Sequence, residues 1–287
     1  MIAFLLLAVA YSAPVLLAAL GELVCERAGV VNIGLEGQML VGALTAVIVS
    51  VTTGQPLLGA LAAMLASALM GGLFALFAVG MKRDQVIVGT TLNFLALGLT
   101  GVWFRAWLKG VKSPTAITLP NWEGWSLLTL LALTLAPTFQ YLLSRTRLGL
   151  AIRATGEKPQ AAAAAGYGVS WLRVGACVVC GALCGLGGAA LSISLSNTFT
   201  EEMTGGRGFV ALAVVVFGRW SPLGVLGAAL LFALADAGQA RLQAMGVFKI
   251  PYPLFLMLPY VLTLLALALR GAKVRPPAAL GEPFEQG

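Results

Sequence analysis

Cys177, Cys180 and Cys184 stand at i, i+3 and i+7, so they would share one face of a helix. Thiols so placed are the arrangement that soft metals take. The chain, however, contains no histidine, and no acidic residue lies in the same segment to complete a ligand set. Gly181, Gly185 and Gly188 in that segment form the small-residue pattern by which membrane helices approach closely, and cysteine fits there as one more small residue. The fourth cysteine, Cys25, also lies in an apolar run. Without histidine there is no Ser-His-Asp or Cys-His catalysis. No Gly-x-x-x-x-Gly-Lys-Ser/Thr run occurs either, so ATP-driven work would need an ATPase on another chain. The chain carries no nucleophile and base that would make it an enzyme, and it calls for no cofactor of its own.

Polar side chains inside apolar runs are the next candidates, because burying them in a membrane is costly and usually functional. Asn93 and Asp236 are such residues, with Gln239 one turn beyond the acid. Asp236 could relay protons or line a polar path, but no second acid and no basic partner share its span. Glu26, Arg27, Asn32, Glu36 and Gln38 cluster at the mouth of another span. Neighbours such as Glu26 and Arg27 cannot face each other across a helical turn, so each would need a partner on another helix or in solvent.

Residues 144–171 form the longest hydrophilic stretch, and most connections here are brief. Its middle reads as a short helix: Pro159 suits a first helical position, Ala161 to Ala165 favour the helix, and Gly166 suits a left-handed end. Arg145, Arg147, Arg153 and Lys158 surround this smooth rod with positive charge. On its own it fits two roles, a connecting helix lying on headgroups or a rod that enters a groove in a partner.

What must position these residues is a membrane bundle. Of 287 residues 59% are hydrophobic and 10% charged, with a mean hydropathy of +0.94, too apolar for a soluble fold. At about 20 residues per crossing the chain holds eight or nine spans, expected at 2–20, 38–53, 57–79, 86–104, 125–143, 172–195, 209–218, 223–240 and 252–269. The runs are continuously apolar, which predicts an all-α bundle rather than a barrel. The net charge of +7 is spread singly over span ends, an orientation signal and not a nucleic-acid stripe. With the N-terminus outside and the C-terminus cytoplasmic, twelve of the eighteen basic residues fall inside. All six tryptophans, among them Trp171 and Trp220 at inner turns, then fall at interfaces. The expected domain is 1–270, with 144–171 as its inner loop and 271–287 as a cytoplasmic tail without much structure. Spans 38–53 and 209–218 are short, and each follows a Gly-containing polar stretch. They are either ordinary loops with soft edges or broken helices of an inverted repeat around a transport path.

Four blocks carry a resemblance: ERAGVVNIGLEGQML (26–40), TRLGLAIRATGEKPQAAAAAGYGV (146–169), GGRGFVALAVVVFGRWSPLG (205–224) and IPYPLFLMLPY (250–260). In this order they resemble permease subunits of ATP-binding-cassette importers of the branched-chain amino acid, ribose and nucleoside group. They look closest to those that work with basic-membrane-protein-type lipoproteins and import nucleosides. The resemblance implies alternating access in a bacterial inner membrane, and it implies partners. These are two ATPase subunits that use ATP and Mg, a second homologous permease chain (as heterodimer or homodimer), and an extracytoplasmic substrate-binding lipoprotein, with membrane lipid and no nucleic acid. It also places Gly156, Glu157, Pro159, Ala161, Ala164, Ala165 and Gly166 on a cytoplasmic coupling helix, which moves the 144–171 loop from headgroup helix to docking rod. Related sequences usually carry an acid within the alanine run, and this chain does not. Asn32, Glu36, Asn93 and Asp236 are the candidates for the translocation path. The competing reading is an ion- or proton-coupled secondary transporter of a small polar solute, for which the intramembrane charge is sparse.

Overall fold

The computed structural model describes residues 2–108, 118–119, 121–122, 125–245 and 276–284. Ten α-helices lie among them: α1 (Ile2–Arg27), α2 (Leu35–Thr53), α3 (Pro56–Ala75), α4 (Gln85–Leu108), α5 (Leu127–Arg145), α6 (Arg147–Glu157), α7 (Pro159–Ala164), α8 (Val169–Ala189), α9 (Arg207–Phe217) and α10 (Pro222–Met245). Two π-helical turns, Leu76–Gly80 and Ala190–Ser196, prolong α3 and α8. The two-residue strands β1 (Asn121–Trp122) and β2 (Trp125–Ser126) pair antiparallel ahead of α5.

Seven of these helices are long and apolar enough to cross a membrane, so the chain is an all-α polytopic bundle. Of the nine expected spans seven correspond to these helices, 209–218 is the shorter helix α9, and 252–269 lies outside the described residues. One of the two short spans is corrected. The helix expected at 38–53 begins at Leu35 and has 19 residues, about 28 Å of rise. Its first turn, with Glu36 and Gly37, reads as loop in sequence and is helical because tertiary partners hold it. The other, α9, is short at 11 residues.

The bundle closes on α8, which packs against α1, α2 and α3. Its small residues let backbones meet: a Cβ on Gly42 would stand 2.6 Å from Gly185 Cα, and one on Gly181 would collide with the Ser67 carbonyl. Leu16, Leu17, Leu20, Leu23, Leu35 and Met39 fill the centre. The outer faces of α3 and α4 present Leu69 (76% exposed) and Phe94 (70%), suited to lipid.

Residues 144–171 fold as two helices, not one. Thr146 caps α6, its hydroxyl accepting from Gly149 N at 3.1 Å. Lys158 breaks the helix with φ −146° and ψ 79°, Pro159 opens α7, and Gly166 ends it at φ +87°. The C-terminal segment, expected to have little structure, packs back on this hairpin over 276–284.

Candidate translocation junction and docking surface

After Arg27 the chain turns at Gly29, whose φ of +90° suits glycine, and doubles back along α1. Asn32 N donates to Glu22 Oε1 at 2.9 Å, five residues and about 7.5 Å of rise before the end of α1. The connection therefore re-enters the bundle, and α2 starts inside it. Asn32 is fully buried: its Oδ1 accepts from Gly34 N at 3.0 Å and its amide donates to Gln38 Oε1 at 3.0 Å. Asn93 on α4 pins the same turn, accepting from Gly37 N at 2.8 Å and donating to Ile33 O at 2.9 Å.

Glu36 then points to the second half of the chain. One carboxylate oxygen accepts from Gly206 N and the other from Gly208 N, both at 2.7 Å. A carboxylate on the free N–H groups of a helix N-terminus is favoured by hydrogen bonding and by the helix dipole. The other end of α9 is fixed too. Trp220 turns with φ +52°, its indole donates to the Glu26 carboxylate, and its carbonyl accepts from Arg27 Nε at 2.9 Å and Nη2 at 2.6 Å. A short helix is thus held at both ends by charged residues of the first quarter of the chain, an anion at its start and a cation at its finish. Its 11 residues rise about 16 Å.

Three of the four expected path residues, Asn32, Glu36 and Asn93, meet at this junction. Asp236 stands half-buried on α10, and no hydrogen bond among the described residues joins it to them. The partners that sequence reading missed are Trp220, expected at an interface but only 5% exposed, and the Gly206–Gly208 amides. The glycine cluster at 205, 206 and 208 was the available signal for an acceptor-seeking turn. Among the cysteines, Cys25 and Cys177 Sγ atoms lie 3.5 Å apart, and Cys180 donates to Glu22 Oε2 at 3.4 Å. All four are buried and free, at the α1–α8 contact. Among the described residues no group of three ligating side chains could hold a metal ion.

The second region is the α6–α7 hairpin. Gly156 is buried against α1, where a Cβ would collide with the Arg27 carbonyl. Pro159 and Ala162 face inward, while Glu157, Ala161, Ala164, Ala165 and Gly166 are exposed. An open surface groove of about 410 Å³ between the two helices is lined by Leu150, Ala154, Lys158, Ala161, Ala165 and Tyr167.

An apolar multi-helix bundle, a junction of charged groups where α2 and α9 meet, and a small exposed helical hairpin fit a multi-pass transport protein. The chain belongs to the branched-chain amino acid transport system / permease component family, which matches residues 4–267. It is 37% identical to the guanosine ABC transporter permease protein NupQ of Bacillus subtilis, over 96% of this chain and 94% of that one. It is 33% identical to the nucleoside ABC transporter permease protein NupC of Lactococcus lactis, over 94% and 93%. The putative glucose ABC transporter permease protein TsgC13 of Haloferax volcanii is 38% identical over 81% and 75%. Each of these three organisms also holds a second, more distant permease relative, 26 to 27% identical. No solved structure matches the chain. The protein is a membrane permease subunit of an ABC-type importer, the architecture of which joins permease, ATPase and substrate-binding component.

Proposed function

We propose that the chain imports nucleosides across a bacterial inner membrane, by alternating access driven through α7 by a separate ATPase. The observation that carries the substrate class is near full-length similarity to permeases named for guanosine and for nucleosides. The glucose permease at comparable identity sets the competing substrate, a free sugar, which shares with a nucleoside a polyhydroxylated ring.

The path runs past the junction. Glu36 on α2, Asn93 on α4 and Asn32 in the turn before α2 line it, and Asp236 lines it from α10. In this reading the N-termini of α2 and α9 are the two broken helices. The outward face of α7 (Ala161, Ala164, Ala165) enters a groove on the ATPase, while buried Gly156 and Pro159 seat the hairpin against the bundle. Glu157 and Lys158 supply charge at the rim, and Gly166 ends the rod. An ATPase can move the spans only through a docked element, and α6–α7 is the sizeable one among the described residues. The second permease chain and a substrate-binding lipoprotein complete the assembly.

The test is uptake into proteoliposomes holding this chain, its second permease, the ATPase and the binding protein. ATP-dependent accumulation of radiolabelled guanosine, not competed by excess glucose, is expected. Accumulation by this chain alone under a proton gradient would establish the secondary transporter instead, and competition by glucose would move the substrate to sugars.

A further inference from the structure

The segment 276–284 returns from the end of the chain to the hairpin and is bonded at four places. Ala279 N donates to Gly156 O at 2.9 Å, and Ala278 N to Glu157 Oε2 at 3.3 Å. Gly281 N donates to Gly29 O at 3.1 Å, and Glu282 O accepts from Arg173 Nη1 at 2.6 Å. Arg173 is 2% exposed and also donates from Nε to Ala28 O at 3.2 Å, so it ties α8 to the turn after α1. At its end Phe284, 8% exposed, packs on Ala162 of α7 and Val169 of α8.

The hairpin needs such help. With six residues α7 is too short to be stable alone, and its inward side chains, Pro159 and Ala162, bury little area. It joins α6 through the non-helical Lys158, with Ala154 packed on Ala162, and α8 through the short turn at 165–168. A push on α7 would be lost as bending at these two non-helical joints unless a further attachment opposed it.

We propose that 276–284 is a strap that makes α6, α7 and the adjoining ends of α1 and α8 one rigid lever, with Phe284 and Arg173 as its positioning residues. This rests on α7 being the docking element. Force on α7 passes through Phe284 and the strap to Arg173 on α8 and to Gly29 after α1. Arg27 and Glu26, at that end of α1, hold Trp220 and with it the foot of α9. The strap thereby connects the docking face to the junction along a continuous chain of bonded groups.

The experiment uses the complete importer in proteoliposomes, with ATP hydrolysis and uptake measured separately. Its variants are Phe284→Ala, Phe284→Leu and a chain ending at Arg275. A cysteine at Gln160 (Q160C) reports docking through cross-linking to the ATPase in each background. Phe284→Ala and the shortened chain are expected to keep hydrolysis and cross-linking while uptake per ATP falls about five-fold or more. Phe284→Leu, which refills the apolar contact, is expected to restore most of it. Unchanged uptake per ATP with cross-linking intact would overturn the strap alone, as would uptake and hydrolysis falling in proportion, the mark of a merely stabilising segment. Absence of the cross-link in the unaltered background would remove the docking reading first, and the strap with it.

Discussion

Trp220 is bound at two atoms by two adjacent residues of opposite charge. Its indole N–H satisfies Glu26 and its carbonyl satisfies Arg27, so neighbours that could not pair with each other share one partner. The need for outside partners was legible in the sequence from their adjacency. The partner was not, because it lies 194 residues from Glu26 and a tryptophan beside a turn reads as an interface anchor. Glu36 shows the same limit: its polarity was visible, but an acceptor for Gly206 and Gly208 amides emerges only when two distant breaks meet. Trp220→Phe keeps an aromatic ring but removes the donor and part of the indole's volume, leaving a buried carboxylate short of a bond. It is expected to destabilise the purified protein by about 2 kcal/mol, read as a lower midpoint of thermal unfolding in detergent. Glu26→Gln in the same chain should recover part of that loss, since the two changes act on one bond. A midpoint equal to that of the unaltered protein would mean the Glu26–Trp220 bond contributes nothing.

Helix lengths carried part of the architecture. The apolar runs located the seven spanning helices, and α9 was foreseen as short from its apolar length alone; its clamping between Glu36 and the Glu26–Arg27 pair is visible only in the structure. The start of α2 was misplaced by three residues because Gly34, Glu36 and Gly37 look like loop to any local rule. Asn93 supplies the acceptor for Gly37 N that overrides that preference. Helix α6 escaped notice since its small residues, Gly149 and Gly156, argue against a helix while in fact permitting close packing on α5 and α1. That packing gives a prediction. A Cβ at Gly156 cannot fit beside the Arg27 carbonyl, so Gly156→Ala must push α6 off α1, at a cost of about 1–3 kcal/mol. Ala164→Trp leaves this seat alone and blocks the exposed face of α7. The first is expected to retain ATPase binding but lower uptake per ATP. The second is expected to lower co-purification of the ATPase. Normal co-purification and uptake in Ala164→Trp would count against α7 as the docking face.

The described residues form a hydrophobic body with a small exposed hairpin, and their surface says where partners belong. Leu69, Phe94, Ile87 and Val102 face outward from α3 and α4 as lipid or another membrane chain would require, whereas the hairpin exposes small and charged residues beside Leu148 and Leu150. Composition made the membrane body legible, but a single chain cannot record what pairs with it. The pattern of relatives suggests a prediction about it. Three organisms each hold a closer permease at 33 to 38% identity and a more distant one at 26 to 27%. Two divergent chains retained together are what an asymmetric pore needs, because each then meets a different surface of the other. This chain is therefore expected to work beside one copy of a distinct permease and not with a second copy of itself. Tagging it with two different affinity labels in the same cell checks this. The assembled importer should contain one label or the other, plus the distinct permease, and ATP-dependent uptake should vanish when that second permease is omitted. Recovery of both labels in one active complex would establish the homodimer.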